Sequence, residues 1–379
     1  MTAVLVLNAG SSSIKFKLFG PDLSEQLGGM VAEIGGAARL SFGGAERALE
    51  AVDHDAALAA VFSALEGAGV RLGDLAGVAH RVVHGGVALV APQVLTEAVI
   101  AEIEACVPLA PLHNPPSLAA IRAVARLAPD LTQTASFDTA FHATNPEVAR
   151  RYALPASIEA EGIRRYGFHG TSYASLVARW ADVARCVLPA RLLALHLGNG
   201  ASLCAIRNGQ SVATTMGYSP LSGLTMGTRA GDIDGNAVLR LVQDHGQATA
   251  ADILNRQSGL LGLGGLSDMR ELGAAGTDEA GFALAHFRYW AVRHAGSMIA
   301  AMGGLDGIAF TGGIGENDAA MRAGIVDGLG WLGARLDMAA NAGGVGRLEA
   351  KGSAVVICVV PAEEERQIAC DAFVVLADC

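Results

Sequence analysis

Two arginines stand in segments that are suited to holding a phosphoryl group. Arg81 follows a short apolar run and precedes Gly85 and Gly86, while Arg229 lies in MGTRAGDID, residues 226–234. A phosphoryl group in transfer carries negative charge on three equatorial oxygens, and planar guanidinium donors match that charge. For either arginine alone, an ion pair at the surface is the alternative. The neighbouring glycines favour the functional interpretation.

Three glycine-rich turns follow apolar runs, at residues 8–13, 196–200 and 311–315. Backbone amides in such turns can approach a phosphate or a nucleotide ring, because glycine has no side chain in the way. None of the turns is a GxxxxGK[ST] loop, and none fits the dinucleotide fingerprint. Each alone could be an ordinary polar turn, but together they indicate a nucleotide site.

Histidines and carboxylates stand in similar places. His169, directly before a predicted helix, is the histidine best placed to reach a ligand, although a single histidine usually has a structural role. Magnesium is typically held by one or two carboxylates together with phosphate oxygens. The other candidates are His113, His196, Asp138, Asp232 and residues 363–365, of which the last also suit a helix N-terminus.

The elements that must position these residues follow the pattern of an α/β fold. The apolar run 4–7 is typical of a strand buried on both faces, and it reverses at residues 8–10 into the alternating strand 14–18. Residues 192–206 repeat this design, which indicates two halves of similar architecture, with chance similarity as the alternative. Within 77–86 a short strand is predicted to run into a glycine turn, with Arg81 in the loop directly after the strand. Further strands are predicted at 132–137, 307–311 and 355–360; helices at 53–67, 97–106, 117–127, 171–187, 235–244, 278–302 and 363–377; and loops at 108–116 and 214–234.

The composition describes a globular chain with a large core. The 379 residues are 51% hydrophobic and carry a formal net charge of −10, which argues against nucleic acid or an anionic membrane as partner. The six cysteines form no CxxC pair, so we expect reduced thiols and a cytoplasmic location. We expect neither a signal peptide nor a membrane span, because no basic region precedes an apolar core and no apolar run nears about 18 residues.

Taken together, these segments resemble the acetate kinase family. The similarity lies in residues 8–16, 80–86, 110–116, 137–142, 165–173, 196–202, 226–234, 310–317 and 361–369. It implies two ribonuclease-H-like (actin-like ATPase) domains flanking a nucleotide cleft. The first domain would comprise 1–137 plus 366–379, and the second, for nucleotide binding and dimerisation, 138–365.

The resemblance also implies roles for individual residues. The implied catalytic residues are Arg81, Asp138, His169 and Arg229. The implied substrate-binding residues are Val83, Leu112, His113, Phe168 and Pro220, several of them forming an apolar pocket for a methyl group. The implied nucleotide and phosphate contacts are Asn8, Ser11, Ser13, Lys15, His196, Asn199, Gly200, Asp268, Arg270, Gly313 and Ile314. The implied metal-positioning residues are Asn8 and Glu364.

The implied activity is a reversible, direct in-line phosphoryl transfer from ATP to acetate, giving acetyl phosphate and ADP in a homodimer. It requires Mg²⁺, with Mn²⁺ as the alternative ion. A propionate or butyrate kinase of the same family is the nearest alternative, and a non-enzymatic nucleotide switch is a more distant one. Residues 362–366 (AEEER) depart from the family's usual Thr-Asn-Glu-Glu-Leu, which leaves the metal glutamate open among Glu363, Glu364 and Glu365. Ser222 and Tyr173 replace the usual glutamate and histidine.

Overall fold

The computed structural model describes residues 2–10, 12–50 and 53–378. These residues divide into two compact units. Unit 1 comprises the described residues of 1–141, 170–175 and 363–379, and unit 2 comprises 142–169 and 176–362. The domain boundaries expected from the sequence, 1–137 with 366–379 and 138–365, stay a prediction.

The strands and helices are numbered in chain order. The strands are β1 Val4–Ala9, β2 Ile14–Phe19, β3 Glu25–Ala32, β4 Arg39–Phe42, β5 Ala45–Ala48, β6 Gly77–Val82, β7 Gln93–Val94, β8 Gln133–Phe137, β9 Arg191–Leu197, β10 Ala201–Arg207, β11 Gln210–Thr214, β12 Gly307–Thr311, β13 Gly346–Arg347 and β14 Val356–Val359. The helices are α1 His54–Gly67, α2 Glu97–Ala105, α3 Asn114–Leu127, α4 Glu147–Arg150, α5 Ala156–Ala160, α6 Gly170–Ala184, α7 Gly235–His245, α8 Gln247–Arg256, α9 Gly259–Gly264, α10 Met269–Ala275, α11 Asp278–Met302, α12 Gly312–Asn317, α13 Ala319–Gly328, α14 Met338–Gly343 and α15 Glu364–Ala377. Short 3₁₀ turns lie at Leu72–Asp74, Val107–Leu109, Ala140–Thr144 and Gly330–Leu332.

Each unit is built on one sheet. The sheet of unit 1 has the order β5-β4-β3-β2-β1-β6-β8-β7, and that of unit 2 has the order β11-β10-β9-β12-β14-β13. In both sheets an antiparallel hairpin, β1–β2 or β9–β10, is followed by two parallel neighbours, β6 and β8 or β12 and β14. The predicted repetition of architecture is therefore present, because the two sheets share this pairing pattern.

The first strand is buried on both faces, as its apolar run predicts. Leu5 and Leu7 face a core that includes Leu58 of α1 and Val124 of α3. Val4 and Val6 face the opposite way, towards the closing helix α15 with its buried residues Ile368, Ala369 and Ala372. Successive side chains of a strand point to opposite faces, so one strand serves both layers.

Several helix boundaries follow from local signals. Asp53 and Thr96 accept backbone hydrogen bonds as the N-caps of α1 and α2. The helix predicted to end at 187 ends at Ala184 because Arg185 adopts a left-handed backbone with φ of 55°.

Three local predictions are wrong. The first strand continues to Ala9, and the Gly10 amide after it donates to the Ser13 carbonyl at 2.8 Å, so Asn8 lies inside β1 rather than in the turn. Helix α3 begins at Asn114 rather than after the proline-rich loop, since prolines in a first turn cost no hydrogen bond. Arg81 lies within β6 and not in a loop after it.

Three of the described cysteines, Cys106, Cys204 and Cys358, are buried free thiols, while Cys186 and Cys370 are partly exposed. Among the helices of the described residues, none combines the length and apolar character that a membrane span requires.

Candidate functional site

The parallel strands of unit 1 bring the first group of candidates together. Asn8 lies near the end of β1, Arg81 near the end of β6, and Asp138 directly after β8. Because β1, β6 and β8 are parallel neighbours, their carboxyl ends meet at one edge of the sheet. Glu364, the first residue of α15, reaches the same edge.

Arg81 is the centre of this unit 1 cluster. Its Nε donates to Asp138 Oδ1 at 3.1 Å and its Nη2 donates to Asp138 Oδ2 at 2.6 Å. Its Nη1 lies 3.4 Å from Asn8 Oδ1 and 3.7 Å from Glu364 Oε2. Burial opposes the arginine's charge, but Asp138 and Glu364 outweigh that effect and raise the pKa of Arg81 above its ordinary value. Arg81 is therefore a fixed cation at the strand ends.

Asp138 is held from two sides. Thr171 Oγ1 donates to its Oδ1 at 2.9 Å, in addition to the two bonds from Arg81. The backbone carbonyl of Asp138 accepts from the Gly170 amide at 2.8 Å, and a side chain at Gly170 would lie 2.1 Å from that carbonyl oxygen. With its oxygens engaged in this way, Asp138 is suited to orienting Arg81 rather than to removing a proton.

The same edge offers oxygen ligands that would suit a hard cation. Asn8 Oδ1 and Glu364 Oε2 both approach Arg81 Nη1, and Glu365 Oε1 accepts from Asn8 Nδ2 at 3.5 Å. Burial raises the pKa of Glu364; Arg81 lowers it, while Asp138 and Glu365 raise it further. The described residues contain no group of three or more acidic, histidine or cysteine side chains that would hold a metal alone. This donor set fits Mg²⁺, which takes one or two carboxylates and completes its shell with water and phosphate oxygens.

In unit 2, His169 occupies a constrained position before α6. Its backbone is left-handed with φ of 58°, which is uncommon for a residue with a side chain. Its Nδ1 lies 2.8 Å from Ser202 Oγ, and its ring stacks on that of His196 with centroids 4.1 Å apart. The carbonyl of the preceding Phe168 lies 2.9 Å from His142 Nε2. The backbone strain at His169 is typical of a functional residue.

Arg229 lies near His169 in the same unit. Both side chains approach Gly200. A Cβ built on Gly200 would lie 3.3 Å from His169 Nε2 and 3.6 Å from Arg229 Nη1. Arg229 Nη1 donates to the Pro220 carbonyl at 3.2 Å, and no carboxylate among the described residues forms an ion pair with it. Burial lowers the pKa of Arg229. A half-buried cation without an acidic partner is suited to an anionic ligand.

Two glycine turns of unit 2 lie side by side. The turn 198–200 joins β9 to β10, and the turn 312–313 follows β12, which is the parallel neighbour of β9. The Asn199 carbonyl accepts from the Gly227 amide at 3.0 Å, which connects the first turn to the loop of Arg229. The turn 198–200 therefore lies beside the loop that carries Arg229.

The turn at Gly312 has a different character. Glu316 Oε1 accepts from the amide of Gly312 at 3.0 Å and from the amide of Ala362 at 2.9 Å. The protein's own carboxylate therefore takes the Gly312 amide, which an anion would otherwise use. Gly313 is exposed, and a Cβ there would meet no atom within 4 Å. This turn is better suited to an uncharged part of a ligand than to a phosphate.

Comparisons with known proteins identify the family of this chain. Residues 3–370 match the model of the acetokinase family. The acetate kinase of Deinococcus radiodurans is 45% identical, with 98% of each chain covered. The chain belongs to the acetokinase family.

Solved structures of relatives show the same fold. The Porphyromonas gingivalis acetate kinase is 36% identical with a TM-score of 0.91, covering 99% of this chain and 100% of that one. A propionate kinase from Francisella tularensis is 35% identical with a TM-score of 0.93, covering 98% and 99%. The acetokinase family has the actin-like ATPase fold with two domains, and its members are kinases that transfer phosphate to a carboxylate. The predicted α/β, actin-like fold class and the predicted enzyme class are confirmed.

The other residues to which the family resemblance assigned nucleotide contacts take several positions in the two units. Asp268 is the N-cap of α10 and pairs with Arg270 at 2.8 Å on an exposed surface of unit 2. Lys15 is exposed on β2 opposite Asn8, while Ser13 and Ile314 are half-buried. Ser11 lies outside the described residues. The assigned nucleotide contacts stay predictions.

The substrate-binding set falls on both units. Val83, Leu112 and His113 belong to unit 1, whereas Phe168 and Pro220 belong to unit 2. Leu112 is 48% exposed and Phe168 is buried. Their role as a pocket for a methyl group stays a prediction.

Sequence reasoning missed several residues that support the clusters. Ser202 bonds His169, and Glu316 bonds the Gly312 turn. The sequence predicts only a helix start at Thr171, yet its Oγ1 donates to Asp138. Ser202 could have been found, because a three-residue turn between β9 and β10 places it directly opposite His196. The other two contacts had no sequence signal.

Proposed function

We propose that this chain catalyses reversible phosphoryl transfer between ATP and acetate, giving ADP and acetyl phosphate. The observation that carries the proposal is Arg229, a half-buried cation without an acidic partner among the described residues, next to Nε2 of His169. Such a pair suits the negative charge that a phosphoryl group carries during transfer.

The transfer is direct and in line. An acetate oxygen bonds to the γ-phosphorus as the bond to the β–γ bridging oxygen breaks, and the electron pair leaves with ADP. Acetate is ionised at neutral pH, so the reaction needs no general base. Arg81 and Arg229 bind anionic oxygens of the reactants, His169 donates from Nε2 to the transferring group, and Asp138 keeps Arg81 oriented. Positioning and charge stabilisation supply the catalysis.

The metal ion is part of the proposal. Asn8 and Glu364 would hold Mg²⁺, with Mn²⁺ as a substitute and Glu365 as the alternative carboxylate. When bound, the ion neutralises phosphate charge. The other nucleotide contacts are proposed at Ser11, Ser13, Lys15, His196, Asn199, Gly200, Asp268, Arg270, Gly313 and Ile314.

We also propose a homodimer formed through unit 2. Phe282 and Tyr289 lie seven residues apart on α11 and are 58% and 62% exposed. Seven residues return to the same face of a helix, so these rings form one apolar stripe that a second copy would cover.

The free cysteines among the described residues support a cytoplasmic location.

A trap for acyl phosphate tests the reaction. Purified protein, ATP, MgCl₂ and hydroxylamine are incubated with acetate, propionate or butyrate, and the hydroxamate is measured. We expect the highest kcat/KM with acetate and a lower value with propionate, since one methylene changes binding by only about 1–3 kcal/mol.

The solved propionate kinase supports the second candidate, a preference for propionate. A higher kcat/KM with propionate than with acetate would select it. No hydroxamate with any of the three acids would exclude both kinase assignments and favour a nucleotide switch.

A further inference from the structure

Ser202 lies where it can control the orientation of His169. Ser202 on β10 pairs directly with His196 on β9 in the antiparallel hairpin. Side chains of such a pair stand on the same face of the sheet, about 5 Å apart at Cβ. The His169 ring contacts both, through the 2.8 Å approach of Nδ1 to Ser202 Oγ and through the stack on the His196 ring.

The two ring nitrogens of His169 have different surroundings. Nδ1 is directed to Ser202, which is fully buried. Nε2 lies on the Gly200 side, where a Cβ added at Gly200 would stand 3.3 Å from it and 3.6 Å from Nη1 of Arg229. A hydroxyl that donates to Nδ1 leaves the hydrogen of a neutral imidazole on Nε2. Only a nitrogen that carries hydrogen can donate to a phosphoryl oxygen.

We propose that Ser202 is a positioning residue for the reaction: its hydroxyl donates to His169 Nδ1 and thereby holds Nε2–H beside Arg229. This inference rests on the proposed role of His169 in phosphoryl transfer. In this role Ser202 acts through His169 rather than on the substrate, because its side chain is fully buried.

A matched control exists in the same unit. Ser211 on β11 is also fully buried; its Oγ lies 2.9 Å from Nδ1 of the buried His142 and donates to Asn145 Oδ1 at 2.7 Å. Ser211→Ala therefore removes a buried serine hydroxyl beside a histidine other than His169, together with its bond to Asn145. Ser202→Ala removes the hydroxyl beside His169, whereas Ser211→Ala removes the hydroxyl beside His142.

Kinetics provide the first test. Loss of a group that orients a catalytic side chain typically costs about 10–100-fold in activity. We expect Ser202→Ala to lower kcat by that factor, with the KM values for ATP and acetate changed less than about twofold, and Ser202→Thr to recover most of the loss. In Ser211→Ala we expect kcat within about threefold of wild type. A kcat for folded Ser202→Ala within twofold of wild type would overturn the proposal.

A double-mutant cycle guards against a general packing defect. If Ser202 acts through His169, the double variant His169→Gln with Ser202→Ala is no slower than His169→Gln alone. If the two effects on kcat multiply, Ser202 acts by another route and the proposal is wrong. The cycle still tests the proposal if the threonine of Ser202→Thr does not fit the buried site.

Nitrogen-15 NMR of the histidine rings tests the tautomer without any turnover. We expect His169 to carry its hydrogen on Nε2, and its Nδ1 resonance to move in Ser202→Ala and to stay in Ser211→Ala, with His169→Gln providing the assignment. A hydrogen on Nδ1 in the wild type would contradict the proposal. Failure of the proposed activity appears separately, as an absence of hydroxamate from the wild-type protein.

Discussion

Arg81 binds Asp138 through two parallel hydrogen bonds, at 3.1 Å from Nε and 2.6 Å from Nη2. Such a bidentate pair fixes the plane of the guanidinium as well as its position. Its remaining nitrogen, Nη1, faces Asn8 and Glu364. The orientation of Arg81 therefore depends on Asp138, and a change at Asp138 should alter the reaction through Arg81.

Asp138→Asn should lower kcat by about 10²–10³-fold, because a misplaced catalytic group loses most of its advantage. It should also lower the free energy of unfolding by about 2 kcal/mol, less than for a fully buried pair because Glu364 still faces Arg81. Hydroxamate formation and urea unfolding measure the two effects.

The control for Asp138 is the exposed pair of Arg71 and Asp74, 3.6 Å apart. Asp74→Asn should change the stability by less than about 0.5 kcal/mol, since exposed pairs contribute little. Equal effects of the two substitutions on kcat would contradict a special role for Asp138.

Arg229→Ala should reduce turnover by about 10³-fold, the scale on which an arginine stabilises a phosphoryl transition state. Stability should not fall, because the substitution removes a half-buried charge without an acidic partner among the described residues. ATP binding by calorimetry should be nearly unchanged. Arg240→Ala, in an exposed pair with Asp244 at 2.7 Å, is the control. A turnover of Arg229→Ala above one tenth of wild type would refute the proposed role.

Gly200→Ala tests the close approach of His169 and Arg229. The new Cβ would stand 3.3 Å from His169 Nε2, so that ring would have to shift by a few tenths of an ångström, whereas Arg229 Nη1, at 3.6 Å, would be in ordinary contact. We expect kcat to fall about tenfold or more with little change in melting temperature. Gly273→Ala on α10, where a Cβ meets no atom within 4 Å, should leave kcat unchanged. If both variants keep full activity, the space above Gly200 is not needed.

The buried His80 should make the protein less stable to unfolding as pH falls. Burial lowers its pKa to about 4, although the 2.8 Å contact with Gln133 acts in the opposite direction. Above the unfolded-state pKa of about 6.5 the residue is neutral in both states and has no effect. As pH falls from 6.5 towards 4, only the unfolded chain gains the proton, so stability is lost.

Between pH 7 and pH 5 the wild type should therefore lose about 2 kcal/mol more stability than His80→Gln. Urea unfolding of both proteins at the two pH values measures this difference. Equal losses would show that His80 does not titrate in this way.

Much of the fold was readable from local patterns. The apolar run at the start of the chain predicts a strand with two buried faces, and the helix at 278–302 was predicted with the bounds that the structure has. Asp53 and Thr96 mark helix starts because their side chains accept amide hydrogens that the first turn leaves unpaired. These features depend on neighbours within a few residues, which a sequence displays directly.

The sequence shows which chemistry each candidate residue can do, but it does not show which residues contact one another. Arginine in a glycine-bearing segment indicates an anion site, yet Arg81 is held by Asp138 whereas Arg229 has no acidic partner among the described residues. That difference arises from strand neighbours and loop paths, which join residues far apart in the chain. The sequence alone determined the family, the strand and helix pattern and the chemistry that each residue type can do. Only the tertiary structure decided which of those residues meet, because parallel pairing brings distant strand ends to one edge.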